Sequence, residues 1–515
     1  VSALTFTPEL LRNGRIQLRR GRIVAVIVIC AALSLSSIAY FFYSPNAARS
    51  EMAALDLVRT MILLQVVVLL IGGGIYCLQS VHREKELHTF DYQRITRLKP
   101  IELAVGKLLG APALTYLVVL CLVPVTVVAA FVARISIGTL LEIYLILLLG
   151  SITYHSLSIL LSLLAPAGSF AGTIVFYLVL IGIGSVDFGS GFSMLAMHQL
   201  SPFFVYNLLT SQTIQNPYPT LSPLRDLFLG TSVPHVLTLV VIDATFCAFF
   251  LLAVVRNIKR DPSVYEIYSP WQGLAFVLYL DALVLGFFRW MIPRFAPPER
   301  VAPLAPLAQF RPIAANAAEV TFLAIAMWLL AIFGLALLRN RERVRRRIRQ
   351  HGAEASGWWA AVWPSPYLMA GAALTGLAIL AMIRFKLEEY GKWNLSLGAL
   401  QVAFLALWLA RDFQYLQWMN LRMGRRSLVT GLLYVIVFYV CASACMVAFG
   451  LYRPIGAPYR AIFIPSAAFG LDTDAWTAAG GLWLGALLFL VIEALGFVWL
   501  QRRELQRLAN PLHGN

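Results

Sequence analysis

The chain has 515 residues, of which 60% are hydrophobic and only 13% are charged, and its mean hydropathy is +0.76. Soluble globular proteins are about half apolar and about a quarter charged, so this composition excludes an ordinary soluble fold and calls for lipid to cover the surplus apolar surface. A net charge of +16 would suit a nucleic-acid binder only if the basic residues formed one soluble patch, and they do not.

Taken in chain order, residues 7–22 place Pro8 at a helix start and set Leu11, Ile16 and Leu18 among arginines. The pattern predicts a short basic amphipathic helix lying on the inner leaflet, a cytoplasmic element covering residues 1–21. Twelve apolar runs follow, at residues 22–43, 57–80, 111–131, 140–164, 170–186, 233–255, 273–291, 320–338, 367–383, 397–410, 428–450 and 480–500. Most approach the ~20 residues that a helix needs to cross a bilayer, with 170–186 and 397–410 short for the task. The run at 22–43 is too long for a signal-peptide core and lacks a small-residue cleavage site, so it is expected to stay as a span. The second run ends in Gly72-Gly73-Gly74, which permits close helix approach or a kink.

Between the second and third runs lies a long, dense, mixed-charge stretch, residues 82–110, HREKELHTFDYQRITRLKPIELAVGKLLG. Hydrocarbon cannot satisfy its charges, so it belongs in water or at the membrane surface. Glu, Lys, Leu, Gln and Arg dominate it and no proline intervenes before Pro100, which predicts mostly helix. At about 100° per residue, Leu87, Phe90, Ile95 and Leu98 fall within an arc of about 140°, one apolar face on which Asp91 and Arg94 intrude. A helix of this kind suits lipid headgroups or a groove on a soluble partner.

Glu84-Lys85-Glu86, Thr89-Phe90, Leu98-Lys99-Pro100-Ile101-Glu102 and Gly106-Lys107-Leu108-Leu109 resemble the first cytoplasmic loop of ABC-2 type transporter permeases. In that family an EKE-x-x-T opening is followed by a P-x-E-x-x-x-G-K-L-L run into the third span. This chain departs from the pattern at His88, where the family usually has glycine, and is more basic over residues 97–99. The resemblance implies a six-span membrane domain over residues 22–260, with residues 82–107 as the loop whose coupling helix sits in a cleft of a separate cytosolic ATP-binding subunit. Glu84, Lys85 and Glu86 would then supply the polar contacts, and Leu87 and Phe90 the apolar ones. ATP and Mg would sit on that partner, leaving this chain without cofactor. Pairing with a second copy or with a different permease is implied as well.

Residues 187–231 form a long, half-polar outer segment. Residues 193–210 and 221–229 are expected as short helices dipping into the outer leaflet, with Asn216-Pro217-Tyr218-Pro219 as a turn between them. ABC-2 permeases carry similar re-entrant helices. A second six-span block, residues 261–515, contains a proline-rich outer loop at 293–312 that should be extended and stiff. Residues 339–350, RNRERVRRRIRQ, are expected to continue the eighth span into the cytoplasm and to anchor on anionic lipid. Residues 411–431 sit inside as 82–106 do, yet lack counterparts of Glu84 and Glu86, so the second block reads as divergent or unrelated.

With the N-terminus inside, the basic clusters at 12–22, 83–107, 256–260, 339–349, 411–426 and 502–507 all fall on one side of the twelve crossings. The basicity is therefore an orientation signal and an attraction to anionic lipid, and no nucleic-acid partner is expected. All six cysteines lie in apolar runs without a C-x-x-C pair and read as small structural residues. No G-x-x-x-x-G-K-[ST] or G-x-S-x-G occurs, and the Asp187-Phe188-Gly189 tripeptide has no catalytic loop to serve. No catalytic residue is assigned and no enzyme activity is expected. His82, Glu84, Glu86 and His88 lack the spacing of a helical metal site, so no metal is expected.

Four ionisable residues lie inside spans: His155, Asp243, Asp281 and Glu493. Each either lines an aqueous path or carries a proton, or is hydrogen-bonded between helices as packing. The expectation is an all-α polytopic membrane protein of about twelve transmembrane helices, both termini cytoplasmic, in the cytoplasmic membrane. Its implied role is the permease subunit of an exporter. Ion-coupled secondary transport through one of those carboxyls, a lipid-linked glycosyltransferase using Glu51 and Asp56, and a structural subunit of a larger membrane complex are the alternatives.

Overall fold

The computed structural model describes residues 8–43, 50–165, 170–174, 177–178, 225–228, 231–260, 266–295, 326, 329–339, 341–351, 357–386, 395–423, 431, 434–435, 437–438, 440–441 and 481–509. They fall into two compact units, Val1–Tyr268 and Ser269–Asn515. Among the described residues six helices are long and apolar enough to cross a membrane: Arg20–Ala39, Ala53–Glu86, Ala113–Val132, Ile137–Leu164, Val236–Asn257 and Leu482–Ala509. The chain is a helical membrane protein, with one short β-hairpin among the described residues.

The first unit contains α1 (Pro8–Gln17), α2 (Arg20–Tyr43), α3 (Ser50–Val66), a π-helical turn at Val67–Gly72, α4 (Gly73–Glu86), α5 (Thr89–Ile95), α6 (Pro100–Gly110), α7 (Ala113–Val132), α8 (Ile137–Leu164) and α9 (His235–Asn257). The α3–α4 column is continuous through the π turn. Its 34 residues from Ala53 to Glu86 span about 50 Å, against about 30 Å of hydrocarbon, so its end stands clear of the membrane core. Leu57, Val58, Met61 and Ile62 of the column pack with Leu122 of α7 and Ile143 and Leu147 of α8. By contrast α2 leaves Val24, Ile27, Val28 and Ile29 exposed, as a lipid-facing helix does.

The π turn explains where two buried polar residues go. A π-helical turn loosens the regular i→i−4 ladder, and here side chains from other helices bond its carbonyls. The His155 Nε2–H donates to the Leu69 carbonyl at 2.9 Å, and the Tyr177 hydroxyl donates to the Leu70 carbonyl at 2.8 Å. With Nε2 committed as donor, the neutral ring offers Nδ1 as acceptor to the Tyr116 hydroxyl, 3.1 Å away. A Cβ on Gly73 would overlap the His155 ring, and one on Gly74 the Tyr177 hydroxyl. The glycine run thus serves as a close-approach surface. Gln65 to Thr126 and Ser162 to the Leu78 carbonyl, each 2.8 Å, add further bonds between helices.

One expected helix is not formed. Within 221–229, residues Arg225–Phe228 instead make a strand paired antiparallel with Thr231–Pro234, Arg225 opposite Pro234 and Phe228 opposite Thr231. Pro223 and Pro234 bracket the segment and Thr231 and Val233 are β-branched, which disfavours a helix and suits a ladder. Residues 187–224, including the other expected re-entrant helix, lie outside the described residues, as does most of the expected span at 170–186.

The second unit contains α10 (Pro270–Phe295), a helical stretch over residues 329–337, α11 (Arg341–His351), α12 (Trp358–Val362), α13 (Ser365–Lys386), α14 (Leu395–Met423) and α15 (Leu482–Ala509). The expected run 397–410 does not end at Arg411. It is the first half of a 29-residue helix, because neither proline nor glycine interrupts residues 399–423. Arg411 had looked like a boundary because charge is costly in lipid, yet only 3% of it is exposed. Its guanidinium meets Asp412 at 2.9 Å and Glu493 of α15 at 3.0 Å.

Arg411, Gln414, Gln417 and Asn420, three residues apart, form a polar seam along α14. Gln414 donates to Ser365 of α13 at 2.6 Å, and Gln501 of α15 donates to the Gln414 carbonyl at 2.6 Å. Gln417 and Asn420 bond the backbone of Arg339, accepting from its N–H at 2.8 Å and donating to its carbonyl at 3.2 and 2.7 Å. Those bonds replace helical ones at Arg339, so the helix over residues 329–337 has ended before the expected continuation begins. The arginine-rich α11 is a separate helix whose Val344 and Ile348 pack on Leu421, Val498 and Leu505. The expected runs 273–291 and 367–383 lie within α10 and α13, and α10 carries Pro293 in its last turn. The runs at 320–338 and 428–450 lie only in part within the described residues.

Overpacking a close contact costs about 1–3 kcal/mol, whereas alanine in place of glycine inside an open helix gains up to about 1 kcal/mol. Gly74→Ala is therefore expected to lower the unfolding midpoint of the detergent-purified chain. Gly485→Ala, where nothing lies within 4 Å of the new methyl group, should hold or raise it.

Candidate functional site

At one end of the first unit the C-termini of α4, α8 and α9 meet α1, α5 and α6. A helix end leaves carbonyls without partners, and side-chain cations here supply them. Lys85 Nζ donates to the carbonyls of Ser162, Leu163 and Ala165 at 2.7, 2.6 and 2.9 Å, closing the end of α8. Lys259, beyond α9, donates to the Thr96 carbonyl at 2.7 Å. Asn257 and the Glu266 backbone exchange hydrogen bonds of 2.9 Å in both directions. Burial works against the charge of Glu266, but bonds from Arg256 at 2.9 Å and Arg260 at 3.3 Å hold its carboxyl below the usual carboxylate range. Its stabilising contribution is present above the ordinary carboxylate pKa and is lost only as pH falls through that lowered value.

The centre of this end is a buried charge cluster. Lys107 of α6 has no exposed surface, and its Nζ stands 2.5 Å from Glu84 Oε2 and 3.2 Å from Glu9 Oε1. Arg12 of α1 bridges the same two carboxylates, meeting Glu9 at 3.0 Å and Glu84 in a short contact. Asn13 donates to Glu9 at 3.0 Å and Gln93 of α5 donates to Glu84 at 2.8 Å. Two carboxylates and two cations balance, which is the condition for tolerating charge out of water. Four helices, α1, α4, α5 and α6, each contribute to the cluster.

Local sequence sets these positions. Glu9 and Asn13, one turn apart, form the buried face of α1, while Leu11, Ile16 and Leu18 are 46%, 42% and 38% exposed. The polar side of this amphipathic helix thus faces protein and its apolar side faces outward, where lipid would lie. Gly106 and Gly110 let α1 approach α6: a Cβ at either would stand 2.8 Å from the Cβ of Glu9 or Asn13. Pro100 opens α6 at a position that needs no N–H, and Glu102 accepts the Lys99 N–H at 2.8 Å.

Between α4 and α5, His88 takes a left-handed conformation with φ 54°. This break changes the expected apolar face. A continuous helix would have placed Leu87, Phe90, Ile95 and Leu98 together. Instead Phe90, 1% exposed, packs with Cys77, Val81, Leu103 and Leu108, and Leu98 lies partly buried against that cluster. Leu87, Tyr92 and Ile95 are 61%, 71% and 81% exposed. Arg94 stacks over the Phe90 ring at 4.8 Å and meets Asp91 at 2.6 Å.

Of the five residues assigned to coupling, Glu84, Lys85 and Phe90 are engaged inside the chain, while Glu86 and Leu87 face outward. Glu86 lies 3.3 Å from the buried His82 ring. Sequence reasoning missed Glu9, Arg12, Asn13 and Gln93, and read Lys107 only as part of a motif. The available signals were a lysine inside an apolar helix and the four-residue glycine spacing beside it.

Of the four intramembrane groups, His155 and Asp243 lie in the first unit and Asp281 and Glu493 in the second. His155 is held by the π turn in the first unit, and Glu493 by Arg411 in the second. Asp281, 2% exposed, accepts from Thr375 at 2.8 Å, and its other oxygen finds no donor among the described residues. Asp243, 4% exposed, lies against Gly150, and Thr153 donates to its backbone carbonyl at 3.0 Å. No group of three metal-ligating side chains occurs among the described residues. Compared with known proteins, the chain matches no family model, no curated protein and no solved structure.

Removing one partner of a buried charge network costs about 3–5 kcal/mol, and truncating a buried phenylalanine about the same. Lys107→Ala and Phe90→Ala should therefore each destabilise the purified chain strongly in denaturant titration, while Leu87→Ser and Ile95→Ser stay within about 0.5 kcal/mol of the parent. His88→Gly, which removes a left-handed strain of about 1 kcal/mol, should stabilise it in the same assay.

Proposed function

We propose that this chain is the membrane subunit of an ABC-2 type exporter in the cytoplasmic membrane, driven at its basic end by a separate ATP-binding subunit. The reading takes twelve spans with both termini cytoplasmic, and a pair of such subunits for each pair of ATPases. One observation supports it most: once internal contacts are accounted for, α5 still presents Tyr92 and Ile95 outward, with Leu87 just before it and Asp91 and Glu86 alongside. A short helix with an exposed apolar face and an acidic edge suits a protein groove.

The first unit is suited to carry a push. Force on α5 passes through Phe90 and Gln93 to α4, and through Glu84 and Lys107 to α6 and α1. The α3–α4 column then takes it into the membrane, past the π turn. The nucleotide state must favour one arrangement of α5 by several kcal/mol for the population of open transporters to shift appreciably. ATP and Mg belong to the partner, whose hydrolysis supplies that bias.

Ion-coupled transport is favoured by a different observation, the burial of Asp243 mid-span beside Gly150. The two readings separate in experiment. Under the exporter reading, Leu87→Asp with Ile95→Asp leaves the chain folded but removes a Walker-motif ATPase that co-purifies from native membranes. Retention of that ATPase by the folded double variant would contradict it. Proteoliposomes holding the chain alone should not dissipate a pH gradient, and a proton flux abolished by Asp243→Asn would favour the ion-coupled reading instead.

A further inference from the structure

At the same end, a cavity of about 420 Å³ opens between α1, α2, α4 and α7. It is lined by Arg22, Ala25, Val26 and Ile29 along one face of α2 and by Tyr76, Gln79 and Arg83 along one face of α4, with Gln17 and Leu114 beside them. Arg22 is oriented by its own turn: its guanidinium donates to Gln17 Oε1 at 3.2 Å and to the Ile16 carbonyl at 3.4 Å. Arg83 also lines a second cavity of about 210 Å³, shared with Gln79, His82, Glu86 and Phe170. Glu86, the acidic group there, lies 3.3 Å from His82. Two guanidiniums from different helices, with amide and phenol groups and an apolar stretch of α2 lining the same cavity, match a phosphate joined to a hydrocarbon chain.

We propose that this cavity is the binding site of one anionic phospholipid. Its phosphate is held between Arg22 and Arg83, its polar headgroup bonds Gln17, Gln79 and Tyr76, and its acyl chains leave along Ala25, Val26 and Ile29. The volume falls in the range of about 300–1,000 Å³ usual for small-ligand sites, enough for a headgroup but not for two chains. The chains therefore run over the outer face of α2, where Val28 and Ile29 are 60% and 57% exposed. Basic pockets between spans on the cytoplasmic side are known to take such headgroups. The lipid would join α1 and α2 to α4 beside the Lys107 cluster, and the proposal stands whether or not the chain is an exporter.

The test uses the full chain, exchanged in detergent against equal phosphatidylglycerol and phosphatidylcholine and examined by native mass spectrometry. One phosphatidylglycerol should remain per chain, and Arg22→Gln with Arg83→Gln should weaken its retention roughly thirtyfold, about one kcal/mol for each arginine. Arg134→Gln, beyond the end of α7 far from Leu114, should leave retention unchanged. Ala25→Trp, which fills the apolar wall and keeps both arginines, should also expel the lipid, so loss does not depend on one variant's folding. Equal retention of phosphatidylcholine, unchanged binding in both cavity variants, or displacement of the lipid by millimolar inorganic phosphate would overturn the proposal.

Discussion

The buried lysine at position 107 is the constraint around which the first unit is arranged. An ammonium out of water is tolerated only where anions meet it, and Glu9 and Glu84 come from parts of the chain more than seventy residues apart. Satisfying that one charge fixes where the N-terminal helix lies, how close α6 approaches it and which way the end of α4 points. Glycine at 106 and 110 follows from the approach, and Gln93 donates to Oε1 of Glu84, the oxygen that Lys107 does not take. The apolar face of α1 is then turned outward, and the cavity beside it is formed by the same placement.

This arrangement changes what the family-like string of residues means. Glu84, Lys85, Phe90, Pro100, Glu102, Gly106 and Lys107 each have a task inside the chain: a bridge, a helix cap, a core ring, a helix start, a capping acceptor, a contact surface and a buried cation. A conformation that must be held in place to receive an outside force and a conformation that is merely stable demand the same residues. The residues that distinguish the two are those left outward, Leu87, Tyr92 and Ile95.

Composition made the membrane class legible, because a chain this apolar has no soluble solution, and run length made the long helices legible. The interior geometry was less so. Periodicity over residues 82–98 assumed one helix, and a single left-handed residue, His88, rotated Phe90 inward and Ile95 outward. Arg411 reads as the end of a span because sequence shows only the adjacent Asp412, and the second carboxylate that pairs with it, Glu493, lies more than eighty residues away. His155 read as a candidate for function because the π turn whose carbonyl it bonds leaves little trace in composition. In the second unit the spacing of Arg411, Gln414, Gln417 and Asn420 was visible, yet only the fold shows that the stripe faces protein.

The central claim is that the charge cluster holds α1 and α5 together as one element. Hydrogen–deuterium exchange of the full chain in detergent, comparing the parent with Lys107→Met, tests it most directly. Amides of residues 8–17 and 89–95 should lose protection together while those of α7 keep theirs. Loss confined to one of the two segments, or none in either, would contradict the account.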